Sequence, residues 1–124
     1  MSTPNFSFNL LKLVKIDDLG TEETLRKLRA FVEAREWDQF HAPENLAKSI
    51  SIEAGELLEC FQWNDEAKFE SIASELADVL TYCLLLSDKL SLNPMELVLS
   101  KLEKTELKYP VDKARGTSNK YDRL

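Results

Sequence analysis

The scarcity of chain-breaking residues constrains this sequence more than any other feature. Only 3 Gly and 4 Pro interrupt 124 residues. An all-β chain needs a turn about every 8–12 residues, so this scarcity argues against an all-β protein. Gly20, Gly55 and Gly116 stand too far apart to build a glycine-rich phosphate loop. A helical chain with short connections is left. Hydrophobic residues at 44% and charged residues at 31% supply one core and exclude a disordered chain. A formal net charge of −6 argues against binding a nucleic acid polymer.

No apolar run approaches the roughly 18 residues that span a bilayer. Phe6, Phe8, Leu10 and Leu11 are interrupted by Asn9 and Lys12, and they lack the basic start and cleavage site of a signal peptide. Cys60 and Cys83 form no C-x-x-C and read as reduced, buried thiols. These features predict a soluble cytoplasmic protein without a membrane partner.

Residues 1–20 read as an N-terminal arm, 21–110 as a helical domain and 111–124 as a basic, polar tail. Thr21 is the expected cap of a first helix over about 22–36, with Glu22 and Glu23 at the positive end of its dipole. After the loop from Trp37 to Pro43, a second helix is expected from Pro43 or Glu44 to about Phe61. Asn64-Asp65 punctuates, and a third helix is expected over about 66–90. The fourth has Asn93 as cap, Pro94 first and Glu96 third, and should end before Pro110. This order predicts an all-α four-helix bundle. Leu76, Val79, Leu80, Cys83, Leu84, Leu85 and Leu86 nearly encircle the third helix. Burying such a helix takes more than one small subunit, so the bundle is expected to be completed by oligomerisation.

Two of these helices carry carboxylates beside their apolar faces. On a wheel centred on Ile50, the apolar arc spans about −40° to +80°, and Glu53 falls at about −60°. Glu56 lies about 60° further round, and Glu59 lies opposite the arc and reads as solvated. On the third helix Glu75 sits at about −100° from Leu76, with Asp78 about 60° beyond and Tyr82 between them in angle. Each helix thus bears an acid pair at i, i+3 along an apolar seam. Such pairs also arise on ordinary solvated faces. If the four converge, they repel one another unless a cation neutralises them. Oxygen-only ligands favour Mg²⁺, with Mn²⁺ as a substitute, and Mg²⁺ readily accepts substrate phosphates. The chain argues against a di-iron site, which wants Glu-x-x-His on two helices, because the single His41 lies in a loop. Cys60 and Cys83 have no His partner for nucleophilic catalysis.

Trp37 and Trp63 sit at helix ends, where an indole either closes a core or stacks on a base. Lys101, Lys104 and Lys108 recur along the fourth helix as solvated cations or as phosphate ligands. Asn45 and Lys48 open the second helix, where the dipole also suits an anion.

Several runs carry a resemblance: Trp37-Asp-Gln-Phe-His41-Ala-Pro-Glu-Asn45-Leu, Ser51-Ile-Glu53-Ala-Gly-Glu56-Leu-Leu-Glu59, Phe61-Gln-Trp63, Glu75-Leu-Ala-Asp78-Val-Leu-Thr-Tyr82 and Lys108-Tyr109-Pro110. Across about 22–121 the chain resembles the all-α, MazG-like nucleoside triphosphate pyrophosphatases, and within them the dCTP pyrophosphatase branch. The resemblance implies Mg²⁺-dependent hydrolysis of a nucleoside triphosphate, dCTP or a modified dCTP, to the monophosphate and pyrophosphate. It implies Glu53, Glu56, Glu75 and Asp78 as metal ligands and a homodimer or homotetramer as the assembly. It implies Trp37 and Trp63 at the base, Tyr82 in the nucleotide site, and Lys101 and Lys108 at the phosphates. Many relatives carry Asn where this chain has Thr105, a shorter group with less hydrogen-bonding capacity. Glu53 or Glu56 is the expected proton acceptor for the attacking water. The alternative is a helical module that binds nucleotide without turnover.

Overall fold

A computed structural model describes residues 20–63 and 68–124. Nearly all of the expected arm, the Asn64-Asp65 punctuation and the expected start at Glu66 lie outside the described residues. Among the described residues the chain is all helical, with no strand. It divides after Ser91 into two compact units.

The first unit contains α1 (Thr21–Ala34), a 3₁₀ turn (Asp38–Phe40), α2 (Pro43–Glu59) and α3 (Phe69–Lys89). The α2–α3 interface is the more extensive, and α1 also packs on α3. Leu25 and Val32, two turns apart on α1, are buried, as is Leu46 of α2. Among the described residues, Leu46 is the one large side chain that is almost wholly enclosed, at 1% exposure. No residue of α3 is fully buried within the chain, despite its apolar circumference. Leu76 and Leu80 remain 44% and 54% exposed. The two cysteines, expected to be buried, are half-buried.

α1 starts one residue earlier than its sequence indicates. Gly20 occupies the cap position and Thr21 is already helical. No side chain caps this end. The Thr24 hydroxyl instead donates to the Gly20 carbonyl at 3.0 Å. At the other end the Trp37 amide donates to Val32 O and the Glu36 amide to Glu33 O. These paired bonds are a Schellman closure, which favours glycine at the left-handed position. Glu36 occupies it with φ 54. The closure is completed by Trp37 against Phe31, edge to face with centroids 5.5 Å apart.

The second unit holds α4 (Pro94–Lys108), α5 (Val111–Ala114) and a 3₁₀ turn at Tyr121–Arg123. The Asn93 side chain accepts from the Met95 and Glu96 amides, as its sequence signature requires. The tail is more structured than a polar tail need be. Pro110 blocks continuation of α4 and caps α5, and Tyr121 folds back edge to face on Tyr109.

Candidate active site

Adjacent turns of α2 and α3 present their acids to one another. One carboxylate oxygen from each of Glu53, Glu75 and Asp78 lies within 4.8 Å of the other two. Glu53 and Glu75 are half-buried and Asp78 is exposed. The Oε2 atoms of Glu53 and Glu75 are shielded from solvent and have no hydrogen-bond partner. Buried carboxylate oxygens without donors are costly, so this arrangement calls for a positive charge. Oxygen donors at this spacing suit a hard divalent cation.

Glu56 stands outside that trio but adjoins it. Hydrogen bonding to the neighbouring Glu56, then burial, then the charges of Glu56, Asp78 and Glu75 push the Glu53 carboxyl from 4.5 up to about 7. Burial, followed by the Glu56 carboxylate, raises Glu75 as well. Both shifts have the sign expected of crowded acids without a counter-ion. Glu59 is exposed, as its place on the wheel requires.

Beside the acids lies an apolar pocket of about 290 Å³ lined by residues of α1, the following turn and α3. Trp37 and Tyr82 face it together, and Asp78 reaches it from the acid trio. Leu28, Val32 and Leu85 provide aliphatic walls, and His41 and Thr81 add polar groups. An indole, a phenol and an imidazole around a small apolar space can hold a flat heterocycle by stacking and by its polar edge. His41 was not singled out for this place by sequence reasoning. A loop residue has no helical period, and the one available signal was its place in the same short run as Trp37.

The other expected site residues are placed differently. Trp63 follows α2, is 81% exposed and lines neither this pocket nor the cleft described below. The Asn45 amide donates to the Phe40 carbonyl at 3.2 Å, so it ties the 3₁₀ turn to α2. Lys48 pairs with Glu44 one turn back on the exposed face. Lys101 and Lys108 belong to α4 of the second unit, where the Lys108 ammonium sits 4.8 Å over the Tyr121 ring. The Thr105 hydroxyl donates to Lys101 O at 2.9 Å, which commits its proton to its own helix.

Known proteins share this arrangement of sequence and fold. A family model described as MazG-like matches residues 48–124. The chain is 36% identical over 115 residues to dCTP pyrophosphatase 1 of Rattus norvegicus, covering 84% of this chain and 68% of the relative. The Homo sapiens protein of the same name matches over the same extent at 36% identity. Among solved structures, a pyrophosphatase from Archaeoglobus fulgidus superposes with a TM-score of 0.68 and 46% identity, over 72% of this chain and 91% of that one. On the family match and the extent of these identities, the chain belongs to the MazG-like family.

Proposed function

We propose that the protein is a Mg²⁺-dependent pyrophosphohydrolase that converts a deoxynucleoside triphosphate, dCTP or a modified dCTP, to the monophosphate and pyrophosphate. One observation carries this reading: Asp78 belongs both to the acid trio and to the aromatic pocket. A ligand with its base between Trp37 and Tyr82 therefore has its phosphates beside Glu53 and Glu75. The relatives named dCTP pyrophosphatase support the choice of base.

Glu53, Glu75 and Asp78 would hold the cation. When bound, Mg²⁺ supplies charge neutralisation for the triphosphate and acidifies water. Water attacks the α-phosphorus in line, and the bond to the departing pyrophosphate breaks. Glu56 lies outside the trio and adjoins Glu53, so with Glu53 committed to the cation its carboxylate would accept the proton of the attacking water. Likeness to the family carries the assignment of Trp63 to the base and of Lys101 and Lys108 to phosphate oxygens. The assignment of Asn45 and Lys48 to the substrate's phosphates rests on their place in the first turns of α2, where the helix dipole suits an anion. The exposed Leu76 and Leu80 on an α3 with no buried residue support a homo-oligomer that covers them.

Pyrophosphate release from a panel of canonical and modified dNTPs tests the reading. Metal-dependent release, highest with a cytosine base and lost in Glu75→Gln, is the expected result. Folded wild-type protein that binds Mg²⁺-dCTP yet releases no pyrophosphate would make the chain a nucleotide-binding module instead.

A further inference from the structure

The turn that carries Trp37 and His41 is closed by backbone bonds of its own, from Phe40 N to Trp37 O and from His41 N to Asp38 O, and rests on α1 through Trp37 against Phe31. Beneath it opens a cleft of about 790 Å³, lined in part by Asp38, Gln39 and His41 of the turn itself. The turn begins at Glu36, whose left-handed backbone at φ 54 is unfavourable for a residue with a side chain. Such a conformation persists only where surrounding bonds over-determine it. Gln39 Nε2 donates to the Glu36 carbonyl at 2.8 Å, and Asn45 ties Phe40 to α2. Among the described residues, one side-chain polar bond links the turn to α3: Lys89 Nζ donates to Asp38 Oδ1 at 2.9 Å.

α3 is also the helix that bears the rest of the pocket. Tyr82, Leu85 and Lys89 recur at i, i+3, i+7 and share one face. Two of them line the pocket, and the third reaches the turn. The frame around this link is itself braced. One residue before Lys89, Asp88 accepts a two-pronged bond from Arg29 of α1. With α1 and α3 clamped and Asn45 holding Phe40 to α2, Lys89 is the side chain that sets the turn against α3.

We propose that Lys89 and Asp38 are a positioning pair, which sets Trp37 and His41 at the correct distance from Tyr82 to grip the base. The inference rests on reading that pocket as the base site. It assigns Lys89 no contact with substrate, so its effect falls on recognition and not on the chemical step.

The test combines steady-state kinetics on Mg²⁺-dCTP with the indole N–H resonance of Trp37 in the nucleotide-free protein. Lys89→Ala and Asp38→Asn should each raise KM about two- to fivefold, the range an exposed ion pair supports, and leave kcat unchanged. The Trp37 indole signal should move or split in both. Lys89→Arg keeps the charge and should behave as wild type. The exchange Asp38→Lys/Lys89→Asp should bring KM and the indole signal back towards wild type. An unmoved indole signal with unchanged KM in both single variants would overturn the proposal. So would a well-folded exchange variant no better than the single ones. If the wild-type protein turns over no nucleotide, the pyrophosphatase reading fails, and the indole signal alone then decides whether the pair positions the turn.

Discussion

Raising the pH from about 6 to about 8 is expected to tighten Mg²⁺ binding roughly tenfold, mostly through one carboxyl. Glu53 is that group, because Glu56 and burial lift it from 4.5 to about 7. A cation that uses Glu53 must displace its proton. The apparent Kd therefore scales as one plus the ratio of proton concentration to Ka. With Ka near pH 7 that factor is about 11 at pH 6 and about 1.1 at pH 8. Glu75 is raised for related reasons and can only steepen the dependence. The same shift acts on stability with a definite sign. Between about 4.5 and 7 the folded Glu53 keeps a proton that the unfolded chain has lost. Metal-free stability should therefore fall as pH rises through that window, and saturating Mg²⁺, which removes the proton from the folded state as well, should flatten the trend. The assay is calorimetric titration with Mg²⁺ at both pH values, in buffers of differing protonation heat. About half a proton should be released per cation near pH 7. Glu53→Gln should bind weakly throughout and lose most of the pH slope. A wild-type Kd that changes less than about twofold between pH 6 and 8 would refute this account of the cluster, as would an undiminished slope in Glu53→Gln.

Three further outcomes are expected. Leu46→Ala should cost about 2–5 kcal/mol in urea unfolding, because Leu46 is enclosed at 1% exposure and its loss opens a void between helices. Glu36→Gly should raise stability by roughly 0.5–1 kcal/mol, as relief of the left-handed strain at φ 54 exceeds the added chain entropy; a lower urea midpoint would contradict the strain. Trp37→Ala should weaken Mg²⁺-dCTP binding by about 1–3 kcal/mol, the usual worth of one base stacked on an aromatic ring, and unchanged affinity would remove Trp37 from the base site.

The parts of the fold legible in the sequence are those that local chemistry controls. Asn93 and Pro94 announce the start of α4 because a cap acts on amides within one turn. Pro43 does the same for α2. The start of α1 is misread by one residue because Gly20 and Thr21 both suit a cap, and the Thr24 hydroxyl serves the carbonyl side instead. α5 escapes notice because four residues are too few to display a period. At the candidate site, helical spacing alone sets Glu53 and Glu75 on the edges of apolar faces. It does not distinguish a solvated acid from one facing another acid.

The sequence by itself determined an all-helical chain, four of its helices to within a few residues, and two acid pairs flanking apolar seams. These follow from bonds and periods a few residues long, which act wherever the chain happens to be. Only the tertiary structure decided that Glu53, Glu75 and Asp78 meet while Glu56 stands beside them. Only there does His41 join Trp37 and Tyr82 around one pocket, and does Lys89 reach across 51 residues to Asp38. Meetings of that kind depend on how α1, α2 and α3 pack, and packing is set by the summed burial of many side chains that no local spacing records.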